Sequence, residues 1–220
     1  MDDITISKLF IVGLVIYATS LHEMAHAYVA FWLGDPTPGR HGRLTWNPVP
    51  HLDPPLTAVF MPLVLYMTSG TLIGMAQTPI DPSRFRRPLR DHALVALAGP
   101  MANFLFMGVL IGILWIPGIY KFTLSNDPYN YAAAILPMAA FWNLVLGVFN
   151  LFPIPPLDGY RIARAFMPLG VRRKMDEFAA MGSMSMGLVL LAGWFILPQY
   201  INHLYRFFIA LLPAKTYVIQ

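Results

Sequence analysis

Apolar residues in this chain fall in long unbroken runs, not in alternation and not in narrow stripes. Five such runs cover residues 4–33, 56–76, 92–117, 131–152 and 181–198, with polar stretches between them. Runs of about 20 apolar residues are the signature of membrane-crossing helices. The first ends at Gly34-Asp35-Pro36, a helix stop, and a Pro- and Gly-rich loop of turns follows to residue 55. The second is a poor span, because it contains Pro62, Thr68, Ser69, Gly70 and Gly74. It either crosses or dips in and leaves on the side it entered, which is tolerated where protein buries the backbone. The fourth runs into Pro153, Pro155 and Pro156, which end a helix, and Gly159, which permits a tight turn. Residues 160–180 are short, basic and amphipathic, and are expected at the membrane surface, as are the apolar stretches of 199–220. The pattern predicts an all-α integral membrane protein, a polytopic helical bundle forming one unit over 1–220.

Composition agrees. The chain is 57% hydrophobic and 12% charged, where soluble domains run at about a quarter charged. With no cysteine, disulfides and thiolate metal sites are excluded, and histidine and carboxylate remain as strong ligands. The net charge of +4 reports orientation before any nucleic-acid partner, and none is expected. Basic residues gather at Arg40 and Arg43, at Arg84, Arg86, Arg87 and Arg90, and at Arg161, Arg164, Arg172, Arg173 and Lys174. If positive loops face the cytoplasm, all three groups share one side only when 56–76 re-enters. The amino terminus is then outside. The second half of the first run and the end of the fourth meet at the cytoplasmic face.

One stretch does not suit its surroundings. His22-Glu23-Met24-Ala25-His26 lies inside the first apolar run. There a charged group costs about 2.5–3.5 kcal/mol on insertion scales, so these side chains need a partner. Residues four apart stack on one helix face, so His22 and His26 can offer nitrogens to one tetrahedral metal. Glu23 can lean over the open position as base for a metal-activated water. Asp158, on a stiff turn after the fourth run, either caps the next helix or supplies the third ligand. The ligand role is favoured, because the His pair otherwise lacks one. His51 and Asp53 are candidates near the metal or solvated loop residues. Asn103, near the start of the third run, fits a helix–helix contact or a substrate contact equally. Asn103 or Asn150 can hydrogen-bond substrate or a developing oxyanion. A zinc-binding scaffold is the competing class. A metal transporter would want more ionisable residues along the other runs.

Taken in order, several motifs resemble the site-2 protease family of intramembrane zinc metalloproteases, peptidase family M50. They are His22-Glu23-Met24-Ala25-His26, then Gly42-Arg43-Leu44-Thr45-Trp46-Asn47-Pro48 with His51 and Asp53. Ala98-Gly99-Pro100 with Asn103 follows, and then Asn150 and Leu157-Asp158-Gly159. Within that family the chain is similar to the short bacterial and archaeal branch without PDZ or CBS domains. The resemblance implies zinc held by His22, His26 and Asp158, with Glu23 as general base. It implies cleavage of a transmembrane protein or peptide within the bilayer of a bacterial or archaeal cell membrane, toward the cytoplasmic side. It suggests a substrate-binding role for Asn150. One stretch departs from the pattern. Relatives often read Gly-Trp-Ala-Lys-Pro-Val-Pro where this chain has Gly74-Met75-Ala76-Gln77-Thr78-Pro79-Ile80. The missing Lys and Pro bear on substrate preference, not on the metal.

Overall fold

The computed structural model describes residues 3–53, 55–60, 63, 76–117, 119 and 131–213. Among these the regular structure is entirely helical. The principal helices are α1 (Asp3–Trp32), α2 (Thr37–Arg40), α3 (Pro88–Leu114), α4 (Tyr131–Asn150), α5 (Asp158–Arg164), α6 (Leu169–Ala180) and α7 (Ser183–Leu211). Of the expected 56–76 segment, Leu56–Phe60 forms one wide helical turn. Residues 61–62 and 64–75, and so the choice between crossing and re-entry, lie outside the described residues, as does most of the 118–130 link.

The helix stop after the first run is a glycine cap. Gly34 takes φ +106°. Its N–H donates to Phe31 O at 3.1 Å, and the Asp35 N–H reaches back to Ala30 O at 3.0 Å, the paired bonds of a Schellman turn. Asp35 is fully buried. Its carboxylate accepts from the Thr37 N–H at 2.9 Å and from the Asp81 N–H at 2.7 Å. The stretch 76–85 is thereby fastened to the end of α1. Ala30, Phe85 and Val95 form a small core there, with Ile80 against it.

Helix α3 packs against α1, α4 and α5. Its buried face carries Ala96, Gly99, Asn103, Leu110 and Leu114, at helical spacing. Its outer face carries Leu94, Leu97, Met101, Leu105 and Val109, all exposed and all apolar. A helix apolar on both faces is at home in hydrocarbon. Leu9–Trp32 and Pro88–Leu114 are long and apolar enough to cross a membrane, and Ile135–Asn150 is a shorter apolar helix. Gly147 of α4 lets the Phe104 ring approach to where a Cβ would be met at 2.5 Å. The main core joins α3, α4 and the end of α7 through Leu110, Leu114, Ala140, Leu144, Phe208 and Leu212.

Three boundaries differ from expectation. The basic segment 160–180 is two helices, separated around Met167 and Pro168, because proline disfavours helical backbone at the residue before it. The last helix does not stop at Pro198 but runs to Leu211, and Phe208 and Leu212 are buried in the core, not at an interface. The proline-rich 34–55 loop is more than turns: it contains α2, a 3-10 turn at Val49–His51, and buried Pro38, Arg43 and His51.

Candidate metal centre

His22, Glu23 and His26 share the second half of α1 and are all buried. The imidazoles meet edge to face, with ring centroids 4.6 Å apart. Each ring is held from behind. His22 Nδ1 lies 2.8 Å from Asn103 Oδ1, and His26 Nδ1 lies 2.7 Å from the main-chain oxygen of Val95. Both partners can only accept. The Asn103 orientation is fixed because its amide donates to Ala18 O at 3.1 Å and to Asn143 Oδ1 at 2.9 Å. Both Nδ1 atoms therefore carry hydrogen, and both Nε2 atoms of the neutral rings present lone pairs.

Those lone pairs face a carboxylate. Asp158 Oδ2 lies 2.9 Å from His22 Nε2 and 3.1 Å from His26 Nε2. Three acceptors converging this closely repel one another unless a cation or a proton sits among them. Zinc bonds of about 2.0 Å give tetrahedral edges of about 3.3 Å, close to these separations. Asp158 opens α5, whose N-cap is Leu157 without a side-chain cap bond. The carboxylate thus does not cap the helix. Its other oxygen accepts from Arg161 Nη1 at 3.1 Å.

Two glycines make this convergence possible. A Cβ on Gly159 would stand 2.1 Å from Leu151 O, so only glycine lets α5 begin against the end of α4. A Cβ on Gly99 would stand 2.5 Å from His26 Nε2 and 2.6 Å from His22 Nε2. The missing side chain leaves a cradle at the nitrogens themselves. His22, Glu23 and His26 can each offer a ligand atom, all within 4.8 Å of one another. The donor set, the fixed tautomers and the cradle fit a zinc ion, with Asp158 completing the set.

The other candidates stand as follows. Asn103 is wholly buried and its three hydrogen bonds are made inside the protein, behind His22. Asn150, half-buried, donates to Leu146 O at 3.0 Å. His51 is buried, not solvated; its Nε2 bonds Thr45 O at 3.0 Å, and among the described residues its Nδ1 has no partner. Asp53 is exposed and accepts from Arg43 at 3.2 Å. Two residues join the site without having been singled out for it. Asn143 backs Asn103 and carries the same signal in the sequence, an amide inside an apolar run. Thr78 donates toward Glu23 Oε2 at 2.7 Å, with Glu23 O at 3.0 Å.

Farther along α5, Arg164 makes two hydrogen bonds to Asp176 of α6, at 2.7 and 2.8 Å, and the Tyr160 hydroxyl donates to the same carboxylate. The Arg164 bonds chiefly, with Tyr160 adding to them, hold the Asp176 carboxyl at about 2. Burial, together with that carboxylate, pushes the Tyr160 phenol up to about 12.

The chain is 36% identical over 177 residues to YwhC of Bacillus subtilis strain 168, a candidate zinc metalloprotease by its name. The match covers 79% of this chain and 76% of the relative. The profile of peptidase family M50 matches residues 116–194. The chain belongs to peptidase family M50. The matched range holds Asp158, while the His-Glu motif lies outside it and within α1. Rip2 of Mycolicibacterium smegmatis, named in the same way as YwhC, is 32% identical over 143 residues, 64% of this chain and 50% of the relative. MJ0392 of Methanocaldococcus jannaschii, named a zinc metalloprotease, is 25% identical over 154 residues, 70% of this chain and 33% of the relative. This M50 chain thus spans half the length of the mycobacterial relative and a third of the archaeal one. No solved structure matches the chain significantly. Family membership and the two long apolar helices among the described residues together mark a membrane protein.

Proposed function

We propose that this M50 chain is an intramembrane zinc metalloprotease that hydrolyses peptide bonds of transmembrane substrates, with zinc on His22, His26 and Asp158. One observation carries the reading: two imidazole lone pairs and a carboxylate oxygen meet at one point, 2.9 and 3.1 Å apart, beside a glutamate on the same helix. The zinc names of the relatives support the choice of metal. Bound there, zinc would act as a Lewis acid and lower the pKa of a coordinated water toward about 7.

The rest falls to the chain. Glu23 takes a proton from the attacking water as its oxygen bonds the carbonyl carbon. The carbon–nitrogen bond then breaks, and Glu23 returns that proton to the leaving amine. Asn103 and Asn143 hold His22 in register, and Val95 O holds His26. Asn150 and His51 are proposed on the substrate path. The substrate must expose its backbone, which in a paired helix is closed to attack, so helix-weakening residues favour cleavage. The proposal puts the site toward the cytoplasmic side, a reading supported by the basic loops if 56–76 re-enters.

Glu23→Gln should retain about one zinc per chain and lose cleavage of a reporter membrane segment by about a hundredfold or more. Metal analysis beside a detergent cleavage assay checks this. A Glu23→Gln protein that cleaves at the wild-type rate removes Glu23 as the base. A wild-type protein that holds zinc and cleaves nothing supports the scaffold or inactive homologue instead.

A further inference from the structure

We propose that Thr78 is a positioning residue for Glu23, fixing the carboxylate so that one oxygen stays free for the attacking water. The inference rests on Glu23 being the base. Among the described residues, the Thr78 hydroxyl is the one donor that reaches the Glu23 carboxylate, at 2.7 Å from Oε2. The Thr78 hydroxyl oxygen also lies 3.0 Å from Glu23 O. A hydroxyl has a single proton, so the two acceptors share it or alternate. Either way Thr78 sits against both the main chain and the side chain of one residue, and ties that side chain to its own backbone.

The support behind Thr78 is stiff. Three residues on, the Asp81 N–H donates to the fully buried Asp35 carboxylate at 2.7 Å. Ile80 packs on Ala30, Phe85 and Val95. The hydroxyl is therefore presented from a pinned segment, and a β-branched residue has little χ1 freedom. Glu23 needs such a fixture. Its side chain has three rotatable bonds, and a base must stay within hydrogen-bond reach of the proton it takes. His22 and His26 are each fixed by a bond to Nδ1. Thr78 does the same for the residue between them.

The test compares Thr78→Val, which keeps the shape and removes the hydroxyl, with Thr78→Ser, which keeps the hydroxyl. With a reporter membrane segment as substrate, Thr78→Val should lower kcat by about tenfold to a hundredfold, as misplacement of a catalytic group does. KM and zinc content should hold, and Thr78→Ser should recover most of the rate. Cleavage by Thr78→Val at the wild-type rate overturns the proposal. So does loss of zinc in step with kcat, or a serine variant as slow as the valine one. The metal-free protein gives a second readout. Thr78→Val should lower its melting temperature more in the wild-type background than in a Glu23→Ala background, and equal drops overturn the contact. If the wild type holds zinc but cleaves nothing, the protease reading fails, and this melting comparison alone decides for or against the Thr78–Glu23 contact.

Discussion

At Gly99 an added methyl group would meet His26 Nε2 at 2.5 Å and His22 Nε2 at 2.6 Å. The neighbours cannot yield easily, because Asn103 and Val95 pin both rings from behind. Contacts that short must be relieved by moving an imidazole or α3 itself. Gly99→Ala should therefore lose most of its bound zinc while the helices persist. Metal content per chain and far-ultraviolet circular dichroism check this together, and full zinc occupancy would show that the rings have more room than their bonds allow. The sequence shows Gly99 only as a small residue at a helix contact. That its Cα faces the two nitrogens depends on how α1 and α3 cross, which no spacing along either run reports.

Among the elements, α5 is short, 7 residues, and is held from three sides. Gly159 seats it against Leu151 O, Asp158 turns it toward α1, and Tyr160 and Arg164 clamp it to α6 through Asp176. The clamp sets a pH window. The Asp176 carboxyl at about 2 lies below an unfolded value of about 3.9. Its contribution is present above about pH 4 and is lost as pH falls through about 2. The Tyr160 phenol at about 12 lies above an unfolded value of about 10. Its contribution is present below about pH 10 and is lost as pH rises through about 12. The melting-temperature gap between wild type and Tyr160→Phe should stay level from about pH 5 to 9 and close above about 10. A gap unchanged at high pH would mean that the phenol is not held neutral by the fold. The long helices were legible as runs of apolar residues. The passage through Pro198 was not, because proline stops a helix only where tertiary contacts do not carry it on. The contacts at the end of α7, Phe208 and Leu212 against α3 and α4, involve residues distant in sequence.

Across the whole molecule the site joins parts 136 residues apart, His22 and Asp158. Chemistry made those ends legible: buried ionisable groups in an apolar chain need one another, and the only strong ligands available were histidine and carboxylate. The supports were less legible, because Val95 acts through its main-chain oxygen, which residue type does not report, and Thr78 reaches Glu23 from 55 residues away. This division leads to a prediction for metal removal. Without a cation, two lone pairs and a carboxylate face one another at 2.9 and 3.1 Å, so the site must protonate or open. The core of Leu110, Leu114, Ala140 and Leu144 lies in other parts of α3 and α4 and does not depend on that point. Chelation should therefore lower the melting temperature, since a ligand at a thousand times its Kd stabilises by about 4 kcal/mol. The loss should also be local. Hydrogen exchange should rise at the start of α5 and stay low in the inner halves of α3 and α4. Equal protection of α5 with and without zinc would mean that Asp158 is held by Arg161 and the clamp alone. Uniform deprotection would mean that the metal holds the whole bundle together and not only its two distant ends.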